Sequence, residues 1–366
     1  MMKRDLGFRR IQRTGRGSYI ISLPKNWIED LNLTKGKQLA FEMQEDSSIL
    51  LIPRQVLEGR NKYDQSLRRD YQISVNPETD PESFSRKITS LYVIGADLIR
   101  IHFTKGKISP HHKSALFNLQ RNVLSGSEIV EETADEIILQ ILIKHPDFPV
   151  EKAIRRMAIL ALSANRDAII ALEKMDDALI QNVIHSCNDV KRLNLYVVRQ
   201  LKYGLEQNLF KELGFRTKKE FLGYRIVSND ITSIADNALN LANNVKTLKR
   251  MNTNDSSWLK TPMDQEVYSQ ILDFNRQAHK FLEASLNTLF RRDYIKADKL
   301  ISDMEPILEK GNALFTLIYT KKMNPHMSSL LGVVIEASRK IIDCSHDVAI
   351  VTLNRTIEDI VTPTNP

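Results

Sequence analysis

Two cysteines among 366 residues are too few for a disulfide framework, and Cys187 and Cys344 lie far apart in helical patterns, without paired metal-ligand spacing. A reducing cytoplasm fits that usage. No apolar run reaches the roughly 18–20 residues of a membrane span, and no basic segment followed by an apolar stretch opens the chain, so neither membrane insertion nor secretion is expected. A Gly-rich phosphate loop, a nucleophile elbow and a spaced His/Glu metalloenzyme motif are all missing, which leaves catalysis without support; the chain is not read as an enzyme. His111 and His112 point in different directions on a helix and are expected at a solvated loop or helix start. Cys344 and His346, two apart, diverge in the same way and read as ordinary helix positions.

What remains is an ordinary folded composition, with 42% hydrophobic and 27% charged residues of both signs, which excludes disorder and fibrous classes. The length predicts two or three domains, each with its own apolar interior. The net charge of +7 is concentrated at one end: residues 1–25 hold Lys3, Arg4, Arg9, Arg10, Arg13, Arg16 and Lys25 against the single acid Asp5. Such a cluster points to an anionic partner; its bland alternative is a row of charges that keeps an edge strand from aggregating.

Residues 5–53 read as strand, strand, helix, strand, strand: Phe8–Gln12, Ser18–Leu23, a short helix begun by Pro24 with Trp27, Ile28 and Leu31 at helical spacing, a turn at Lys35-Gly36, then Leu39–Met43 and Ile49–Ile52, with a turn at Asp46-Ser47-Ser48. About 50 residues in this arrangement bury too little apolar surface to stand alone, and open strand edges invite pairing, so a homodimer is expected. Residues 54–69, polar and charged, read as a linker or exposed helix. A small α/β middle module, β-α-β-α-β-β, follows to Pro146 and Pro149: Tyr71, Ile73 and Val75 alternate as a strand, Pro81 starts a helix, Leu98, Ile99, Ile101 and Phe103 form a buried strand, and Ser109-Pro110 caps the next helix.

From Val150 onward helical periodicity dominates. Val150, Ile154, Met157, Ala161, Ala164, Ala168, Ala171 and Met175 keep an apolar seam at spacings of three and four, and Val227, Ile231, Ile234, Ala238, Leu241, Val245 and Leu248 repeat it. Leu179, Val183, Val190, Leu193 and Val197 supply the stripe between, predicting an antiparallel three-helix bundle over 150–249. Asn252–Pro262 breaks the pattern, and three more helices are predicted at about 263–290, 293–322 and 326–355. IADNALNLA (234–242) aligns with IIDCSHDVA (341–349) at an offset of 107 residues, so the bundle reads as an internal repeat. The domains expected are 1–54, 55–149 and 150–366.

The string RTGRGSYIISLPKNWIEDLNLTKG (13–36), with the turn at Asp46-Ser47-Ser48 and ILLIP (49–53) after it, resembles the AbrB/MazE/SpoVT DNA-binding family. That resemblance covers about 50 residues and implies a dimeric swapped-hairpin β-barrel. Arginines on a two-stranded ribbon doubled by a twofold axis can track phosphates and reach base edges in the major groove. Arg9, Arg10, Arg13 and Arg16 are the predicted DNA contacts, with Lys25 at the helix start as a fifth. Arg9, Arg10 and Arg16 fall at the family's basic positions. The chain departs from the bacterial members after Leu23-Pro24, where Ile28 and Glu29 replace further arginines, and two extra residues sit near Gly17-Ser18.

The region from 150 to 366 resembles PhoU phosphate-signalling proteins, which are two tandem three-helix bundles with acidic motifs on one face. Ile234-Ala235-Asp236-Asn237-Ala238-Leu239-Asn240-Leu241-Ala242 echoes the family signature, with Asp343 and Asp347 equivalent in the second half. Asp236, Asn240, Asp343 and Asp347 are the predicted metal ligands, since Asp and Asn four apart share a helical face suited to an oxygen-liking divalent cation. Thr232 and Arg339 stand where the family carries a further acid, so the cation is expected to be weakly held, with Asp230 and Glu336 leaving some acidic character. The structural alternative is that these side chains bond between helices or face water.

The two resemblances together imply an archaeal-type, cytoplasmic, DNA-binding transcriptional regulator of phosphate uptake, with a phosphate ABC transporter ATPase or sensor protein as a further partner. The alternatives are a PhoU-type signalling adaptor whose N-terminal barrel serves only for dimerisation, and a metal-storing or chaperone-like helical protein.

Overall fold

The computed structural model of the chain describes residues 7–15, 17–43, 48–54, 69–104, 107–143, 148–207, 209–211, 213–253, 264–321 and 323–361. The chain divides between Arg68 and Arg69 into two compact units. The Asp46-Ser47 part of the expected turn and nearly all of the expected 54–69 linker lie outside the described residues.

In the N-terminal unit Gly17, at φ +95°, takes the left-handed conformation that lets β1 (Gln12–Thr14) turn back on β2 (Ser18–Ile20) as an antiparallel hairpin. A six-residue helix α1 (Lys25–Asp30) follows, capped by Pro24 in the extended conformation, so Pro24 precedes the helix instead of forming its first turn. Gly36, at φ +91°, then leads into β3 (Leu39–Met43), paired antiparallel with β4 (Ile49–Pro53). The first strand is displaced from the expected Phe8–Gln12 to residues 12–14 and β2 is shorter than the expected Ser18–Leu23, because the ladder between them ends at the Gln12–Ile20 pair. No residue of α1 is buried.

The second unit starts with a four-stranded sheet in the order β5-β6-β8-β7, made of β5 (Asp70–Val75), β6 (Leu98–Phe103), β7 (Ser127–Glu132) and β8 (Glu136–Ile141). β5 and β6 are parallel and the other pairs antiparallel. Helices α2 (Pro81–Val93) and α3 (Pro110–Asn122) open on proline, which gives up no hydrogen bond in a first turn, and their caps Asp80 and Ser109 accept from Ser83 N and His112 N. Phe84, Ile88 and Tyr92 of α2 and Leu116 and Leu119 of α3 share one core with Ile99, Ile101, Ile137 and Leu139, so both helices cover the same sheet face.

The remainder is helical: α4 (Val150–Lys174), α5 (Asp177–Gln207), α6 (Glu220–Thr253), α7 (Gln265–Arg291), α8 (Tyr294–Ser302), α9 (Met304–Thr320) and α10 (Pro325–Thr356), closed by a 3-10 turn at Ile357–Asp359. The helix expected at 293–322 is two helices interrupted at Asp303. Pro306 explains the break, since its ring clashes with the carbonyl four residues back and it carries no N–H for Ser302. α6 runs on through Thr253, past the start of the interruption expected at Asn252–Pro262, and residues 254–263 lie outside the described residues. One continuous apolar core joins the two halves: Ile234, Ala238 and Leu241 of α6 and Val334, Ile341 and Val348 of α10 belong to it with Met157, Val190 and Leu286. Truncating one such fully buried aliphatic side chain to alanine costs about 2–5 kcal/mol.

Candidate functional site

In the N-terminal unit Arg9, Arg10 and Arg13 are exposed. Arg13 lies on β1 opposite Tyr19, whereas Arg9 and Arg10 precede the strand, with Arg9 Nη1 donating to its neighbour's carbonyl, Phe8 O, at 2.9 Å. Arg16 lies outside the described residues. Lys25 is exposed and 3.5 Å from Glu29 one turn on, a solvent-screened pair of little energetic weight. The apolar side chains of this unit are also largely open: Phe8, Ile11, Tyr19, Ile20, Ile21, Phe41, Met43 and Ile49 are all exposed, while Ile52 is buried. A surface of that character is what a protein–protein interface offers.

The paired signature helices are α6 and α10. Asp236 extends from α6 to Lys191 of α5, whose ammonium lies 2.7 Å from its carboxylate. Asn240 is exposed, and its main-chain carbonyl accepts from Asn244 Nδ2. On α10, Asp343 and Asp347 are both exposed. Burial raises the pKa of Asp343 and the Arg339 guanidinium, one turn earlier, opposes that rise. Asp347 approaches His346 Nδ1 at 3.5 Å. The family-implied cation finds a poor donor set here: Lys191 already occupies Asp236, the position of a further acid is Thr232 in one half and Arg339 in the other, and among the described residues no three His, Cys, Asp or Glu side chains come together as metal ligands. These residues do not fit a metal centre.

Several groups have surroundings that the sequence pattern did not show, and one of them, Glu220, was not singled out by it. Asp230 is 7% exposed on α6, and its Oδ2 is buried without a hydrogen-bond partner. Desolvation, with a smaller contribution from the Asp347 charge, lifts its pKa to about 7. Asp230 in turn helps hold the Cys344 thiol up at about 12, after burial itself. Cys187, also raised to about 12 mainly by burial, donates its S–H to Ala235 O at 3.0 Å. Burial disfavours the thiolate at both positions.

Glu220, at the start of α6, accepts from Arg355 Nε at 2.7 Å, Arg292 Nη1 at 2.9 Å and Arg216 N at 2.7 Å, which binds the beginning of α6 to the ends of α7 and α10. His112 stands at a helix start as expected, in the first turn of α3, but it is not solvated. It is buried between Phe84 and Phe103, with Nδ1 2.7 Å from Ser109 Oγ and Nε2 2.8 Å from Thr79 O. The Nε2–H donates to that carbonyl, leaving Nδ1 to accept from the serine hydroxyl, so this is a satisfied core histidine.

Residues 12–57 match the family described as antidote-toxin recognition MazE, bacterial antitoxin, and residues 154–245 match the PhoU domain. The chain joins a MazE-type segment to a PhoU-type one. The MazE-type match takes in β1 to β4, and the PhoU-type match runs from α4 into α6 and ends before α7, so Asp236 lies within it and Asp343 outside. The crystal structure of PhoU from Pseudomonas aeruginosa is similar over 57% of this chain and 95% of its own length, at 14% identity and a TM-score of 0.48. No curated protein matches the chain. Among the described residues no helix is long and apolar enough to cross a membrane.

Proposed function

We propose that the protein is a homodimeric DNA-binding regulator of phosphate homeostasis, in which the MazE-type unit grips the duplex and the PhoU-type helices receive the signal. The observation that carries this reading is the coincidence, on one small unit, of exposed arginines and exposed apolar side chains. A second copy covers Phe41, Met43, Ile49 and their neighbours and doubles the cationic row. Arg9, Arg10, Arg13, Arg16 and Lys25 contact the phosphates, and arginine's planar fork reads base edges where it reaches them. A phosphate transporter ATPase or a sensor protein is the partner suited to the helical region, whose signature helix displays Asp236 with Lys191.

A gel-shift titration with the DNA upstream of the protein's own gene tests the proposal. A specific complex is expected, with log affinity falling linearly against log salt by roughly 0.9 per phosphate neutralised. Replacing Arg9, Arg10, Arg13 and Arg16 with alanine should weaken binding and flatten that slope. A protein that is monomeric and indifferent to duplex DNA at low ionic strength refutes the proposal. Capture of a transporter ATPase without any DNA effect would place the helical region alone at the centre of function.

A further inference from the structure

One stripe of α5 faces away from the helical core and into the α/β module. Leu195, Arg199, Tyr203 and Glu206 follow one another at spacings of four, four and three, the interval that keeps side chains on one helical face. Leu195 packs against the module's core. Arg199 is 1% exposed, the largest fully buried side chain of the described residues. Its Nη1 donates to Tyr92 O and Ala96 O, both at 2.8 Å, its Nη2 lies 3.1 Å from Asp97 Oδ1, and the guanidinium stacks 5.1 Å from the centre of the Tyr92 ring.

The same carboxylate receives the chain entering the module. Asp97 Oδ2 accepts from Arg69 N at 3.0 Å, and Arg69 itself donates to Ile94 O at 3.0 Å, pairs with Glu206 and sits 5.7 Å from the centre of the Tyr203 ring. Gly95 allows the approach: its φ is +98°, and a Cβ there would lie 2.8 Å from Arg69 Nη1. Arg69 is the first residue of the larger unit, so the latch forms where the chain from the N-terminal unit arrives.

The middle of α5 meets the signature helix. Cys187 Sγ donates to Ala235 O at 3.0 Å and Lys191 pairs with Asp236 at 2.7 Å. Lys191 and Arg199 are separated by about 12 Å of unbroken helix, at 1.5 Å per residue. About two turns of continuous helix thus link the signature carboxylate to a buried cation whose counter-ion, Asp97, is 37% exposed. Such a pair is sensitive to displacement, because a buried guanidinium tolerates no loss of its carboxylate and a forked donor needs its acceptors in register.

We propose that Arg199, Asp97 and Arg69 form a conformational latch, through which a change at the Lys191–Asp236 contact is conveyed along α5 to the α/β module and to the point where the N-terminal unit is attached. The role of the module is to be held by this latch at its first residue, Arg69. The proposal stands on contacts within the larger unit and does not depend on DNA binding.

Hydrogen exchange on the full-length protein tests it, because exchange reports local opening segment by segment. Asp97→Asn and Arg199→Lys should each accelerate exchange in peptides spanning 69–75 and 92–99 by about tenfold or more, with the amides of α4 unchanged. Asp236→Asn in an otherwise wild-type chain should also shift exchange at 92–99, and should do so much less in an Arg199→Lys background. That second result separates a relay from a purely structural clamp. Equal effects of Asp236→Asn in both backgrounds, or none in either, would overturn the proposal. Unchanged exchange at 69–75 and 92–99 in both latch variants would do the same.

Discussion

Glu220→Gln removes one charge from a site where three donors converge on a single carboxylate that is 6% exposed. The amide keeps one acceptor oxygen, but its NH2 must face either the two guanidiniums at Oε1 or Arg216 N at Oε2, so at least one pair of donors is opposed. Arg292 and Arg355 then lose their shared buried counter-ion, and breaking a buried pair from one side costs about 3–5 kcal/mol. At ~2–4 °C per kcal/mol, the thermal midpoint of the helical region should fall by roughly 10 °C, followed by helical circular dichroism at neutral pH. Glu358→Gln is the internal contrast. Glu358 meets Lys219 at 2.8 Å with both side chains exposed, and its loss should cost less than about 1 kcal/mol.

The acid side of the curve supplies an independent check. Burial alone would raise the pKa of Glu220, but the bonds from Arg355, Arg216 N and Arg292 outweigh it and hold the group below the ordinary glutamate value. A depressed carboxylate contributes stability above its unfolded pKa of about 4.3 and loses it as pH falls through the folded value. Wild type should therefore lose more stability than Glu220→Gln on acidification below that pH. If Glu220→Gln and Glu358→Gln melt together, or the two acid limbs coincide, the buried network does not hold these helix ends.

Asp230 should show the opposite pH dependence. Its folded pKa is raised to about 7, so its contribution is intact below the unfolded carboxylate value and is lost as pH climbs through 7; Asp230→Asn should flatten the decline in urea midpoint between mildly acidic and mildly alkaline buffer, and an unchanged decline would exclude Asp230 as its source. Gly204→Ala should destabilise the unit by about 1–3 kcal/mol in the same titration, because its Cβ would lie 2.1 Å from Leu213 Cδ1 and 3.1 Å from the Phe221 ring; a wild-type midpoint would show that Leu213 moves aside freely. Phe41→Lys should convert a dimer to a monomer in sedimentation velocity, since Phe41 is exposed in the single chain and the proposed interface would have to bury the new charge; a persistent dimer would place the interface elsewhere.

The reach of the sequence is clearest along the helices. Spacings of three and four from Val150 to Ala171 determine an amphipathic α4, because only a 3.6-residue repeat gathers those side chains on one face, and the alternation of Tyr71, Ile73 and Val75 determines β5 in the same way. Pro306 also carried a readable signal for the break at Asp303, which the apolar periodicity across 293–322 masked. The basic opening segment and the Asp236 signature were visible as strings, since charge and motif are local properties.

Partnership was not visible. Arg199 falls in a helical stretch where its guanidinium could have pointed to solvent, and Lys191 gives no hint that it would take Asp236. Asp230, Glu220 and His112 look like surface polar residues until α10, α7 and the Phe84–Phe103 pair close over them. A local sequence determines which face of a helix is apolar, because that follows from backbone geometry alone. Which charge a buried group must live beside depends on residues 30 to 140 positions away, and only the tertiary fold brings them within bonding distance.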